Sequence, residues 1–318
     1  MKKILLEISA LLVFIALVFL LLEFLFRDYR NPVDAIMDDF FKTKENAEVL
    51  LVGNSHALPF YHALKAERNT AVACLTIGGD DLFWMQALVN RHLHEMPSVN
   101  YVILNCDDEL LGFNQSLSGL KYMNRILYPY TDTMYENNAL DKLLSRSNFF
   151  RSNRDIGFLF NKQPVEQVTM TGFGRATGFT DEECKSRAWE ISEKRFHQKL
   201  FSENLSYLKS IISETRKCNK KLFILKMPKC ECLEASVIQK NLAASRFLLD
   251  SLFDAEAIDQ LDFSGDTTFQ RGEFANPDHL STSAAKKLME KINEKLYVLH
   301  GIRPIVLVQI NARKDALK

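Results

Sequence analysis

The sequence has no surplus of either charge: 40 Lys+Arg face 40 Asp+Glu over 318 residues, a formal net charge of zero. A chain without excess cations draws no polyanion from a distance, which excludes nucleic-acid binding by phosphate neutralisation. Glycine and proline are few, at 12 and 8, and no internal repeat or biased stretch occurs. Collagen-like, low-complexity and disordered classes are thereby excluded, and 47% hydrophobic with 25% charged residues is the composition of a folded globular protein. The six cysteines lack zinc-site spacing, since the CxC at Cys230 and Cys232 stands alone. His92 and His94, two residues apart on an expected helix, do not face each other as a metal pair would. No motif for a metal, nucleotide or flavin is present, so no cofactor is expected.

What is present is unevenly spread, with the densest apolar run in the first 26 residues. Ile4 to Phe26 reads ILLEISALLVFIALVFLLLEFLF, about the 20 residues needed to cross a hydrocarbon core roughly 30 Å thick. Its only charges, Glu7 and Glu23, lie near the ends, where a carboxylate reaches the interface at lower cost. Lys2 and Lys3 precede the segment, which places the N-terminus in the cytoplasm, although Arg27 and Arg30 follow it, partly offset by Asp28. After Leu22 comes EFLFRDYR, with no small-x-small cleavage site, so an uncleaved signal anchor is expected rather than a cleaved signal. Residues 1–30 then form a cytoplasmic tip and transmembrane anchor, and the rest of the chain lies outside the cytoplasmic membrane, in the periplasm or on the cell surface. Disulfides are permitted there. Cys74 and Cys106 sit in apolar, strand-like stretches and read as buried free thiols, while a bridge at Cys230 or Cys232 stays open.

Residues 31–46 are polar with an amphipathic patch (Val33, Ile36, Met37, Phe40, Phe41), as in a short helix serving as a linker. From 47 to 300 the pattern is strand, loop and helix at βαβ spacing. Apolar runs at Val49–Val52, Val72–Ile77 and Tyr101–Leu104 each end in a polar or glycine-containing loop, with a helical pattern from Leu82 to Leu93. Such runs are expected of strands buried on both faces of a parallel sheet. Periodicity weakens over about 112–187, where Gly172, Gly174 and Gly178 occur, and an insertion or lid over the sheet's edge is expected. It returns with a helix through Leu205 to Ile212, a strand at Leu222–Leu225, a helix at Ile238–Leu252 and a strand near Ile258–Phe263. A last helix, capped by Ser281 or Ser283, runs to about Val298, and the tail 301–318 contains a strand-like Ile305–Ile310. Trp84 and Trp189 read as packing residues, and the sequons at Asn114 and Asn204 matter only in a host that glycosylates them.

Two loops carry chemistry. In LLVGNSHA a buried strand ends in Gly53-Asn54-Ser55-His56 before a helix, where ligands of open α/β sheets collect and free N–H groups favour developing negative charge. Ser55 reads there as a nucleophile or as a plain N-cap, and His56 as a site-lining or a solvent-facing residue. In NPDHLS, His279 follows a strand and precedes the last helix, the place of a base that would activate a serine.

Together the GNS block near the start and the N-x-x-H-L block near the end resemble the SGNH (GDSL-like) hydrolase superfamily, closest to its membrane-anchored, extracytoplasmic branch of acyl esterases and acyltransferases. The likeness covers roughly Glu48 to Leu110 and Asn204 to Val298. It implies an α/β, flavodoxin-like three-layer sandwich with a parallel sheet, preceded here by one transmembrane helix. It also implies Ser55 as nucleophile, His279 as base, and an oxyanion hole from the Ser55 amide and Gly78 or Gly79, with Gly79 the preferred glycine. The family's third block maps its oxyanion asparagine onto Asn105, beside the acidic Asp107 and Asp108, which also read as loop or capping carboxylates. The commoner triad aspartate, three residues before the histidine, is replaced by Asn276; Asp278 is the alternative orienting residue. The implied substrate is an acylated glycan or other cell-envelope ester. A non-catalytic, glycan-binding or accessory role beside a multi-pass membrane acyltransferase is the alternative.

Overall fold

The computed structural model describes residues 2–115, 123–136, 138–152 and 178–301. Gly172, Gly174 and the strand-like Ile305–Ile310 lie outside the described residues. In chain order the first half comprises α1 (Lys2–Phe26), α2 (Pro32–Thr43), β1 (Val49–Gly53), α3 (Leu58–Ala66), β2 (Val72–Thr76), α4 (Leu82–His92) and β3 (Tyr101–Asn105). Then follow α5 (Met123–Thr131), α6 (Ala139–Leu144), α7 (Asn148–Arg151), α8 (Asp181–Trp189), α9 (Phe201–Lys217), β4 (Lys221–Lys226) and α10 (Glu231–Ser236). The last elements are α11 (Gln239–Ala255), β5 (Asp259–Asp262), β6 (Phe274–Asn276), β7 (His279–Leu280) and α12 (Thr282–His300). The described residues cluster into two compact units, one drawn from 1–35 and 121–168, the other from 36–120 and 169–318.

The larger unit is α/β, built on a five-stranded sheet in the order β2-β1-β3-β4-β5. Every pairing in it is parallel, with Val49 opposite Val72 on one side and Tyr101 on the other. This is the flavodoxin-like order, in which the reversal of winding between β1 and β3 leaves a crevice at the strands' carboxyl ends. The continuous runs VLLVG and VACLT are buried along their whole length, as helices on both faces demand. On one face α3 packs against α12, and their Phe60, Leu64, Met289 and Leu296 close over Val49, Leu51 and Ile103. On the other α4 packs against α9, with Ser210 taking hydrogen bonds from Gln86 and Asn90. Cys74 and Cys106 are buried free thiols in this sheet region, whereas Cys232 is bridged to Cys184. Trp84 is fully buried, but Trp189 is 54% exposed and so is not the packing residue expected.

Two local findings differ from the sequence reading. The NPDH segment is not a loop after a sheet strand but the turn of a separate two-stranded antiparallel ribbon, β6 with β7, irregular in register between Phe274 and Asn276. Strands of three and two residues are too short to leave an alternating pattern. In the smaller unit α1 is 25 residues long, with mean hydropathy 3.0 in its most apolar window and none of that window buried. It is one helix long and apolar enough to cross a membrane or to serve as a signal sequence. Residues of α5, α6 and α7 cluster with it.

Candidate active site

The site grows from the carboxyl end of β1. A Cβ on Gly53 would come within 2.7 Å of Ala57 Cβ and 2.9 Å of Asn105 Cβ, so only glycine lets β1 end this close to β3 and turn at once. The turn is held by Asn54, whose side-chain oxygen accepts the His56 amide at 2.9 Å, and by bonds from Ala57 N to Asn54 O and Leu58 N to Ser55 O. This displaces the start of α3 to Leu58, with Ala57 at the N-cap and proline in the first turn. Ser55 is therefore not the cap. It stands half-buried on the turn.

His56 points inward. Its Nδ1 donates to Asp107 Oδ2 at 2.6 Å and its Nε2 to Asp278 Oδ2 at 3.2 Å, tying the end of β1 to the loop after β3 and to the β6–β7 turn. Burial alone would depress this imidazole, and the two carboxylates overcome burial and raise its pKa to about 10. Asp107 is satisfied on both oxygens, since Oδ1 accepts the Met227 amide and Oδ2 also accepts Asn105 Nδ2. Burial opposes its charge, but His56 and Lys229 hold its pKa down at about 2. The neighbouring acids are likewise compensated, Asp108 by Arg246 and Lys226 and Glu109 by Lys229. The acidic cluster is thus a set of internal ion pairs. The Asn105 amide nitrogen gives its hydrogens to Asp107 and to the Leu225 carbonyl at 3.0 and 3.3 Å, so this side chain braces Asp107 instead of reaching for an oxyanion.

His279 lies beside it, with the two imidazole centroids 4.9 Å apart and the rings edge to face. Its Nδ1 meets Asn276 Oδ1 at 2.8 Å and Asp278 Oδ1 at 3.0 Å. An imidazole nitrogen facing two acceptor oxygens carries the proton, which leaves the lone pair on Nε2. Both alternatives for the orienting residue are therefore in use. Burial lowers the pKa of His279, the cations His56 and Arg187 push the same way, and Asp278 pulls against them. Burial also opposes the charge on Asp278, yet His279, His56 and Arg187 hold its carboxyl well below the usual range. Among the described residues no hydrogen bond joins the Ser55 hydroxyl to His279.

Arg187 reaches Asp278 Oδ2 from α8 through Nε at 2.8 Å and Nη2 at 2.5 Å, and Glu190 takes its Nη1 at 2.6 Å. That helix starts where Thr180 and Glu183 form a reciprocal capping box, and its Cys184 is bridged to Cys232 of α10. A cavity of about 80 Å³ opens here, lined by Asn54, Ser55, Gly79, Asp80, Arg187 and Arg195 among others. Gly79 occupies the third position of a turn closed by Asp80 N to Ile77 O, where its φ of 81° suits glycine. Gly78 is exposed, so Gly79 is the glycine on the cavity wall. Asp80 is fully buried, neither carboxyl oxygen has a hydrogen-bond partner among the described residues, and burial with Asp81 alongside raises its pKa well above the ordinary value. Leu110 and Phe113 complete the wall; their carbonyls, with that of Leu111, accept the side-chain amide of the buried Asn204.

Asp107, Arg187 and Asp80 are residues the sequence does not assign to the site, and of the two readings open for His56 the structure gives the inward one. Only His56 left a signal, its place next to Ser55; Arg187 comes from a segment without motifs. Ligand-type atoms of His56, Asp278 and His279 lie within 4.8 Å of one another, as do those of His56, Asp107 and Glu109. Both His56 nitrogens and His279 Nδ1 face carboxylate or amide oxygens at hydrogen-bond distance.

No protein-family model matches the chain, and no curated protein matches it in sequence. Among solved structures it is similar to the crystal structure of a provisionally named acylhydrolase from Bacteroides fragilis NCTC 9343. The TM-score is 0.37 and the identity 9%, over 78% of this chain and 84% of that one. An overlap this loose bears on neither the fold nor the chemistry of this chain.

Proposed function

We propose that this chain is a membrane-anchored SGNH-type serine esterase or O-acyltransferase acting on acyl esters of a cell-envelope or exported glycan. The observation that carries the reading is the pair of acceptors on His279 Nδ1, 2.8 and 3.0 Å away, which fix the tautomer whose Nε2 can take a proton. Ser55 turns toward Nε2 as substrate binds, a bond that unliganded enzymes commonly hold loosely. Its oxygen attacks the acyl carbonyl, His279 takes the proton, and the Ser55 and Gly79 amides receive the oxyanion; collapse then breaks the ester C–O bond, and His279 returns the proton to the departing alcohol. Asp278 supplies the charge that Asn276 lacks and stabilises the imidazolium. The acyl group then passes to water or to a sugar hydroxyl. A cavity of about 80 Å³ suits a short acyl chain better than a fatty one. The apolar α1 and the Cys184–Cys232 bridge suit an extracytoplasmic domain held at the membrane.

Ser55→Ala and His279→Ala are each expected to lower ester turnover by roughly 10³-fold or more and to abolish labelling by a fluorophosphonate. Turnover or labelling that survives either change removes the assignment. A second reading, a non-catalytic glycan-binding or accessory subunit beside a multi-pass acyltransferase, is favoured by the missing Ser55–His279 hydrogen bond; a wild-type protein that fluorophosphonate leaves unlabelled would select it.

A further inference from the structure

We infer that the α6–α7 segment is a second membrane contact, an interfacial element that enters the outer leaflet beside α1 and presents Leu140 and Leu143 to lipid. The inference rests on α1 spanning the bilayer. Phe150 stacks on Phe19 with centroids 6.2 Å apart, and Phe149 meets Phe26 edge-on at 5.2 Å. Phe19 lies seven residues before the end of α1 at Phe26, roughly 10 Å along the axis at about 1.5 Å per residue. A side chain stacked on it therefore lies at the depth of the acyl chains when α1 spans the membrane.

Backbone groups at that depth must be satisfied within the protein. Glu23 does this for the start of α7: its carboxylate accepts the amides of Asn148 and Phe149 at 3.1 and 3.4 Å and the Ser147 hydroxyl. The same contacts explain how a carboxylate is tolerated so close to lipid. Polar ties within the same unit hold the segment's charged side chains. Asp34 accepts Tyr130 Oη at 2.7 Å and pairs with Arg151, and Arg125 pairs with Asp141 at 2.8 Å. Leu140 and Leu143, one turn apart on α6, are 59% and 64% exposed. They stand on α6, which packs against α5 and runs within four residues into α7, the element fastened to α1, so the occupant that covers α1 reaches them too: the bilayer.

The test uses the full chain with benzoylphenylalanine at the position of Phe14, Leu143 or Phe247, reconstituted in vesicles of phosphatidylcholine and phosphatidylglycerol and irradiated. Phe14 reports on α1, and Phe247, exposed on α11, is the control. Lipid adducts by mass spectrometry are expected at 14 and 143 and not at 247. Adducts at 14 without 143 overturn the interfacial element and leave α1 as an anchor. Adducts at neither overturn the span and the element together, and adducts at all three positions overturn it as indiscriminate contact. In cells, adducts from 143 to a protein instead of lipid would give the face to a partner subunit and overturn the inference. As a measurement independent of the photoreaction, Leu143→Trp is expected to lose emission to acyl-brominated lipid relative to the unsubstituted chain, and Phe247→Trp to keep it. Equal quenching of the two tryptophans overturns it.

Discussion

His56 holds a charge that its burial alone would forbid, and that charge makes folding sensitive to pH. Its folded pKa, about 10, stands above the ordinary 6.5, so its contribution is complete below 6.5 and is lost as pH rises through about 10. Asp107 works in the opposite sense: its contribution is present above 3.8 and is lost as pH falls through about 2. Urea midpoints are therefore expected to be highest on the acid side of neutrality and to fall steadily toward pH 10; a flat profile above 6.5 would sink the charged state of His56. Asp80 adds a loss that begins as pH rises through 3.8, because its unfolded form ionises where its buried form does not. Asp80→Asn removes that difference and is expected to raise the urea midpoint at neutral pH. A lower midpoint would mean that the carboxyl is stabilised by something other than protonation. With His279 as the proposed base, its depressed pKa is expected to place the acid limb of the kcat/KM profile below 6.5, and a limb above 6.5 would remove that role. Of its two acceptors, only Asp278 brings charge: Asp278→Asn is expected to cost up to roughly 10⁴-fold in kcat, and Asn276→Ala less. The reverse order would make Asn276 the orienting group.

Among elements, α8 bears on the site most directly while carrying no motif. The Cys184–Cys232 bridge closes a loop with a sequence separation of 48, for which chain entropy alone gives about 4 kcal/mol. The double variant Cys184→Ser/Cys232→Ser is expected to lose roughly 2–4 kcal/mol in urea denaturation and to lower turnover by loosening Arg187 from Asp278. Both residues are replaced because Cys230 Sγ sits 3.2 Å from Cys232 Sγ and could otherwise pair with it. Unchanged turnover at unchanged Arg187 identity would separate the bridge from the site. β1 to β4 were legible as apolar runs because their central residues are covered on both faces, and the longer helices were legible through the spacing of their buried residues. The β6–β7 ribbon was not legible. Nor was the start of α3, because the Asn54 turn uses side-chain geometry that periodicity does not register.

At the scale of the whole molecule, the sequence showed which loops would meet but not how they are joined. Ser55 and Gly79 line one cavity because the winding of the sheet brings the ends of β1 and β2 together, and the NPDH turn, outside that sheet, is tied in through Asp278 and His56. The struts between them are pairings of residues 51, 222 and 91 positions apart, His56 with Asp107, His56 with Asp278 and Arg187 with Asp278, and no local pattern encodes such partners. Neutral overall charge likewise concealed a centre crowded with matched ions. Asn204 shows how such long-range wiring constrains biosynthesis. Its amide is buried against the carbonyls of Leu110, Leu111 and Phe113, the first and last of which line the cavity, yet Asn204-Leu205-Ser206 is a glycosylation sequon. Sugar is attached to the emerging chain before it folds, so a eukaryotic secretory host would force a choice at this position between a glycan and a closed wall, one that a host without that modification never poses.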